Sequence, residues 1–169
     1  MIAVDLWGPQ RAGEHAAEVY QVYDAVFGDQ PDPSDWRTNM YDRHRAREGF
    51  RLSVAHDDGG LVGFAWGYVG ERGQYWSDLV VSALPSRVAD RWVGGHFEFV
   101  ELAVLACHRR RGIGVRLHDR LLDGVTPDRA LLGTDSSDSP AVRLYLSRGW
   151  SKLGELNPQT QVMVRSLSR

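Results

Sequence analysis

The stretch from Phe97 to about Val125 constrains the fold more than any other part of the chain. Phe97 to Leu105 is a strongly apolar run carrying two glutamates, Glu98 and Glu101, and it reads as a strand. Arg109, Arg110 and Arg111 follow. Gly112-Ile113-Gly114 then open a segment in which Ile113, Leu117 and Leu121 recur four apart, the spacing of one helix face. Glycines in such a turn let backbone N–H groups point inward as a nest, and the helix N-terminus adds partial positive charge. A strand, a basic turn and a glycine-opened helix therefore make a seat suited to a pyrophosphate. The turn is not a P-loop, because no Gly-Lys-Ser/Thr follows. It is not the dinucleotide fingerprint either, because the third glycine is missing where Val115 to Leu117 stand.

The rest of the chain fits around this unit. Ile2 to Leu6 reads as a first strand. Ala16, Val19, Tyr20, Tyr23, Val26 and Phe27 predict an amphipathic helix over 12–27, stopped by Gly28. Ser34 is the expected N-cap of a second helix running to about Glu48. Phe50 to Ala55 and Leu61 to Val69 read as strands joined at Asp57-Asp58-Gly59-Gly60, a hairpin turn. In the second of them Val62, Phe64, Trp66 and Tyr68 share one face, while Gly63, Ala65 and Gly67 leave the other flat for a close approach. Two short helices are expected over about 71–95. Ala130 to Thr134 reads as a strand, and Ser139-Pro140 as N-cap and first turn of a helix to Arg148. Trp150 to Leu156 and Gln161 to Leu167 are the expected final strands. The order predicts one mixed α/β layered domain over 1–169.

Composition excludes several classes. At 169 residues the chain is about one domain long, on a prior of roughly 100–200 residues per domain. The lone Cys107 rules out an internal disulfide framework and a cysteine-based zinc site. No apolar run approaches the ~20 residues that span a bilayer, and the first residues do not read as a signal peptide, so a cytoplasmic location and no membrane partner are expected. The net charge of −2 argues against a nucleic-acid partner. Residues 1–95 carry 14 acidic against 9 basic side chains (−5), and residues 96–169 carry 8 against 11 (+3). The second half is the better match to an anionic ligand and the first to a cation.

Arg109-x-x-Gly112-x-Gly114 resembles the Arg/Gln-x-x-Gly-x-Gly/Ala signature of the GNAT (GCN5-related) N-acetyltransferases. Three neighbouring features agree with that resemblance: the strand Glu101-Leu102-Ala103-Val104, the helix with Leu117, Leu121 and Leu122, and the segment Asp138-Ser-Pro-Ala141-Val-Arg-Leu144-Tyr145-Leu-Ser-Arg-Gly149-Trp150. The last is similar to the family's Asn-x-x-Ala-x-x-Leu-Tyr-x-x-x-Gly-Phe motif. The spacing of the two motifs and the two-strand ending also fit. The good match covers about 96–156, and residues 1–95 match in element order only.

The resemblance implies a splayed, mostly antiparallel sheet of about six to seven strands flanked by helices. It implies an acetyl-CoA-binding core over 96–156, with 1–95 mainly on the acceptor side and a helical insertion at about 71–95. Acetyl-CoA is the expected co-substrate, with no metal. Its pantetheine arm is expected to pair with strand backbone at Leu102, Ala103 and Val104. The pyrophosphate is expected on the amides of Arg110, Arg111, Gly112, Ile113 and Gly114, with Arg109 adding charge. The sequence departs from the family pattern at Ala106, where Pro is frequent, at Arg110, where Gly is frequent, and at Asp138, where Asn stands. Asp138 can accept but not donate when ionised.

An amine attacks a thioester only when neutral, so a carboxylate is needed as base, directly or through water. Glu98 and Glu101 are the candidates. They stand three apart, so a regular strand points them to opposite faces. Glu101 is favoured, and family members use an acid at either position. By resemblance Tyr145 protonates the departing CoA thiolate. A backbone N–H is expected to stabilise the tetrahedral oxyanion, with that of Val104 as the candidate. His108 and His118 are expected to face solvent. Cys107 has no evident base nearby and the family transfers acetyl directly, so it is not read as a nucleophile. Tyr75, Trp76 and Trp92 read more as core than as pocket lining.

The expected activity is acetyl transfer to a primary amine of a small molecule, with polycations favoured by the acidic first half, or of a peptide. The alternative is a non-catalytic acyl-CoA-binding sensor or partner module, against which the strand glutamate and Tyr145 argue. Dimers are the commonest soluble oligomers, so a homodimer is the assembly expected if the chain self-associates.

Overall fold

Alternation and helical spacing resolve into fifteen regular elements and two short irregular turns in a computed structural model, which describes residues 1–167. β1 (Ala3–Trp7) leads into α1 (Pro9–Glu14) and α2 (Ala16–Val26). The single helix expected over 12–27 is thus two. The chain leaves helical geometry at His15, with φ −107° and ψ 22°. In α2 the buried Ala16, Val19, Val22 and Tyr23 form the stripe that the spacing anticipated.

The next helical segment also differs from expectation. α3 (Pro33–Trp36) is capped by Asp32, not Ser34: the Asp32 carboxylate accepts from the Ser34 and Asp35 amides at 2.8 and 3.2 Å. Pro33 takes the first helical position, which needs no N–H donor, and so moves the cap upstream. A π-helical turn, Arg37–Tyr41, separates α3 from α4 (Asp42–Arg45). The wider turn brings Trp36 and Tyr41 to one side, where their rings stack 4.5 Å apart. The Tyr41 hydroxyl, buried with the ring, donates to the Ala12 carbonyl at 2.8 Å.

β2 (Arg51–Asp57) and β3 (Gly60–Gly70) form the expected hairpin, with the Asp57 carboxylate accepting from the Gly59 amide at 2.8 Å. Phe64, Trp66 and Tyr68 are buried against Tyr23, Trp36 and Tyr41. α5 (Tyr75–Ala83) and α6 (Ser86–Trp92) follow, then β4 (His96–Val104), a 3-10 turn at Ala106–His108 and α7 (Ile113–Leu122). β5 (Arg129–Asp135), α8 (Pro140–Ser147), β6 (Ser151–Asn157) and β7 (Thr160–Ser166) complete the chain.

The flat face of β3 is filled closely. A Cβ at Gly63 would lie 2.8 Å from the Ala103 carbonyl oxygen and 3.1 Å from Leu117 Cδ1. The glycine therefore admits both strand backbone and the apolar stripe of α7. Gly63→Val is expected to destabilise the protein by about 2 kcal/mol through overpacking, read as a lower urea midpoint at unchanged slope.

The strands hydrogen-bond in the order β1-β2-β3-β4-β5-β7-β6. β1 with β2, β2 with β3, β5 with β7 and β6 with β7 are antiparallel. β4 and β5 are parallel and pair at Phe97↔Ala130 and Glu98↔Leu131, near their starts. This is a mixed, mostly antiparallel seven-stranded sheet with flanking helices, the architecture that the family resemblance implied.

The chain divides into two compact units, residues 1–68 with 100–125, and residues 69–99 with 126–167. The first is built around the aromatic cluster of Tyr23, Trp36, Tyr41, Phe64 and Trp66. The second is built around Val80, Val93, Leu131, Val162 and Val164, with Trp76 and Trp92 packed against them. Trp76 and Trp92 are thus partly buried against this core, whereas Tyr75, expected with them, is 79% exposed and lies outside it.

Candidate active site

The basic turn contains two residues with left-handed backbone. Arg110, with φ 61°, is the one non-glycine residue in the left-handed region among those described, and Gly112 follows at φ 72°. Gly112 is the residue before α7, so the first free amides of that helix follow directly. The sequence feature that departs from the family pattern, an arginine where glycine is frequent, thus sits at a backbone position that favours glycine. Arg109, Arg110 and Arg111 are all exposed. Arg109 turns back, its Nε donating to the Val104 carbonyl at 3.2 Å, and so ties the turn to the end of β4.

Along β4 the two glutamates have different settings. Glu98 is 4% exposed in the second unit, beside the fully buried His96, whose Nε2 lies 3.8 Å from Glu98 Oε1. His96 Nδ1 accepts from the Gly94 amide at 3.0 Å. Glu101 belongs to the first unit and is partly exposed as a whole residue. Loss of hydration nevertheless dominates its carboxyl, which is pushed up to about 8, and the negative charge of Asp29 adds to the shift. The Tyr23 phenol is raised as well, by burial first and then by the Glu101 charge, and its hydroxyl donates to Asp29 Oδ1 at 2.9 Å. Glu101, Tyr23 and Asp29 thus form one electrostatic group. Asp29 had no sequence signal: it stands in a Pro-rich loop and only the tertiary contact with Tyr23 singles it out. Of the backbone positions expected beside the arm, Ala103 is buried and Leu102 and Val104 are partly exposed.

In the second unit Tyr145 lies on α8, buried to 7% exposure. Its ring meets Phe99 edge-on with centroids 5.9 Å apart and Trp150 at 6.0 Å. Ser139 caps α8 as anticipated, its Oγ accepting from the Val142 amide at 3.2 Å, and Pro140 fills the first position. Asp138 precedes the cap and pairs with Arg143 at 2.8 Å on an exposed surface.

The histidines flanking the turn correct the expectation that both face solvent. His118 is fully buried on the inner face of α7, its Nδ1 2.9 Å from Asp119 Oδ1. His108 is partly buried and contacts both Asp57 and Cys107. The expectation that Cys107 has no base nearby is therefore also corrected. Among the described residues no group of three or more His, Cys, Asp or Glu side chains could hold a metal ion, and no helix is long and apolar enough to cross a membrane. A groove of about 390 Å³ in the first unit is lined by residues including Glu18, Gln21 and Leu105. It contains none of the residues read as catalytic, so its volume carries no argument about the reaction.

Known proteins share this fold. Residues 16–150 match the model of the acetyltransferase (GNAT) family. The GCN5-like protein acetyltransferase Rv2170 of Mycobacterium tuberculosis is 36% identical over 101 residues, covering 55% of this chain and 49% of that protein. The match thus spans about half the length of that relative. Among solved structures, PH1933 from Pyrococcus horikoshii superposes with a TM-score of 0.70 at 18% identity, covering 100% of both chains. YncA from Salmonella typhimurium, solved with acetyl-CoA as its cofactor, gives 0.67 at 16% identity, covering 100% of this chain and 95% of its own. These structural likenesses show the fold. The family match extends over most of the chain, including β4, the arginine–glycine turn and the Tyr145 helix, and the chain therefore belongs to the GNAT acetyltransferase family.

Proposed function

We propose that the chain is an acetyl-CoA-dependent N-acetyltransferase that moves the acetyl group directly to a primary amine of a small molecule or peptide. The observation that carries this reading is the setting of Glu101. A strand carboxyl whose proton leaves at about 8 is matched to deprotonating an ammonium near neutral pH. The surrounding negative charge of Asp29 favours a cationic acceptor.

The residues present fit the donor. Arg110 and Gly112 are left-handed ahead of α7, a backbone that would let amides converge, and three guanidinium groups would supply formal charge for a pyrophosphate. Arg109, Arg110, Arg111, Gly112, Ile113 and Gly114 would hold that end. Leu102, Ala103 and Val104 would offer strand backbone to the arm, since β4 pairs with β5 at Phe97 and Glu98, further back along the strand. Acetyl-CoA supplies an activated thioester. Glu101 takes the proton from the acceptor amine, Tyr145 gives one to the departing sulfur, and the Val104 amide faces the oxygen where charge develops. Alignment of amine and thioester supplies much of the remaining rate. Asp138, paired with Arg143, is kept as a peripheral contact to the coenzyme. Glu98, buried with His96, is the weaker of the two strand bases.

The test is CoA release with acetyl-CoA against a panel of amines: polyamines, aminoglycosides, amino acids and peptides with free N-termini or lysines. Turnover with one class identifies the acceptor. Tight acetyl-CoA binding with no turnover on any amine favours the non-catalytic module instead, and no acetyl-CoA binding overturns the proposal.

A further inference from the structure

Three side chains from two segments converge beside the arginine–glycine turn. Asp57 ends β2, while Cys107 and His108 lie in the 3-10 turn after β4. His108 Nε2 is 3.1 Å from Asp57 Oδ2, and His108 Nδ1 is 3.1 Å from Cys107 Sγ. The other oxygen of Asp57 accepts from the Gly59 amide at 2.8 Å. That amide first, and then the hydrogen bond with His108, hold the Asp57 carboxyl below the usual carboxylate range, so it is ionised at neutral pH. An ionised Asp57 accepts the Nε2–H of His108. The Nδ1 lone pair is then left facing the thiol as a proton acceptor. Nucleophile, base and orienting carboxylate are thus in line, which is the arrangement that activates a thiol.

The place of this relay decides what it can act on. Residues Glu101 to Val104 alone span about 10 Å of strand, so Cys107 sits at the phosphate end of the site proposed above and not at the acyl end. A role as acetyl carrier does not fit that position. Cys107 is exposed, and Arg109, Arg110 and Arg111 follow it within four residues. Anionic reagents are drawn to such a neighbourhood.

We propose that Cys107 is a reactive thiol that exchanges with a phosphate-bearing disulfide, and that the mixed disulfide so formed blocks the arginine–glycine turn. The proton of Cys107 passes to His108 Nδ1, and the sulfur attacks one sulfur of the disulfide. A new S–S bond forms at Cys107 while the original S–S bond breaks. The departing thiolate leaves with the electron pair and takes the proton from His108. Cys107 is oxidised and the departing half is reduced, so the disulfide is itself the oxidant. The phosphates of the retained half then lie against Arg109 to Gly114. An exogenous thiol reverses the step. The blocking effect rests on the proposed acetyl-CoA site, whereas the thiol reactivity does not.

The experiment treats the full chain with coenzyme A disulfide and, separately, with the neutral 2-hydroxyethyl disulfide, following adduct mass and released thiol. The expected result is a single adduct at Cys107, formed at least about tenfold faster with coenzyme A disulfide at low salt. His108→Gln slows both reactions by about tenfold or more. Asp57→Asn, which keeps the side-chain shape, slows them in the same direction. The modified protein loses acetyl-CoA binding and dithiothreitol restores it. Cys107→Ser keeps acetyl-CoA affinity and takes up no adduct. A wild-type rate equal to that of free cysteine and unmoved by His108→Gln overturns the relay. Equal rates with the two disulfides overturn the anionic preference, and unchanged acetyl-CoA affinity after modification overturns the block. If the unmodified protein binds no acetyl-CoA, the functional proposal and the block fall together, while the His108→Gln comparison still decides the relay.

Discussion

Glu101→Gln is expected to lower the turnover number by about two to three orders of magnitude with the identified amine, the range a positioned general base contributes. The wild-type rate should rise with pH through about 8 and then level, because the base form of Glu101 appears as its proton leaves. The variant should lack that limb. Retained turnover in the variant would remove Glu101 from the reaction and make Glu98 the strand carboxyl to test. The same shift has a stability consequence of defined sign. The carboxyl is raised from an ordinary 4.5 to about 8, so the folded state holds the proton more tightly than the unfolded state. Its contribution is full below pH 4.5 and is lost as pH rises through about 8. Glutamine carries no proton to lose. At pH 9 the variant should therefore be more stable than the wild type, by about 3 kcal/mol on a scale of 1.36 kcal/mol per pKa unit discounted for partial exposure. At pH 4 the two should unfold together.

Tyr145→Phe is expected to cost about a hundredfold in turnover with little change in the KM for acetyl-CoA, as loss of a general acid would. The phenylalanine ring keeps the edge-on packing against Phe99 and Trp150, at centroid distances of 5.9 and 6.0 Å. Only the hydroxyl is lost, so stability should stay within about 1 kcal/mol of wild type. Tyr145→Ala removes the buried ring as well and should cost about 3–4 kcal/mol by the ordinary cost of truncating a core aromatic. The contrast separates the two roles of the residue. Full turnover in Tyr145→Phe would reduce Tyr145 to a packing residue and leave the leaving sulfur to take its proton from water.

Both predictions use residues that are legible in the amino-acid sequence, and the reason is physical. The arginine–glycine turn is a local device: strand, basic turn and helix N-terminus follow one another closely along the chain, so its spacing, with the resemblance to the family signature, marks it as a candidate site. The same holds for the Ser139-Pro140 cap and the Asp57–Gly60 hairpin, whose hydrogen bonds close within three residues. Where neighbours in sequence compete, local signals mislead. Ser34 and Asp32 are both good caps, and Pro33 decides between them. The helix expected over 12–27 breaks at His15, and the helix after Pro33 takes a π turn; Tyr23, Trp36 and Tyr41 from these segments share one aromatic core, a tertiary contact that local spacing does not encode.

Sequence patterns suffice for the family and for the succession of strands, and they mark Glu98, Glu101, Tyr145 and the Arg109–Gly114 turn as candidates. The difference between the two glutamates arises only in the folded chain. Parity along a strand separates their faces, but burial beside His96 belongs to one packed unit and the charge of Asp29 reaches Glu101 from a loop distant in sequence. Folding also buries His118 and sets His108 between Asp57 and Cys107, the first 51 residues away and the second its neighbour in the chain. Proton affinity depends on the solvent and charge around a group, and those are fixed only when the chain has closed around it.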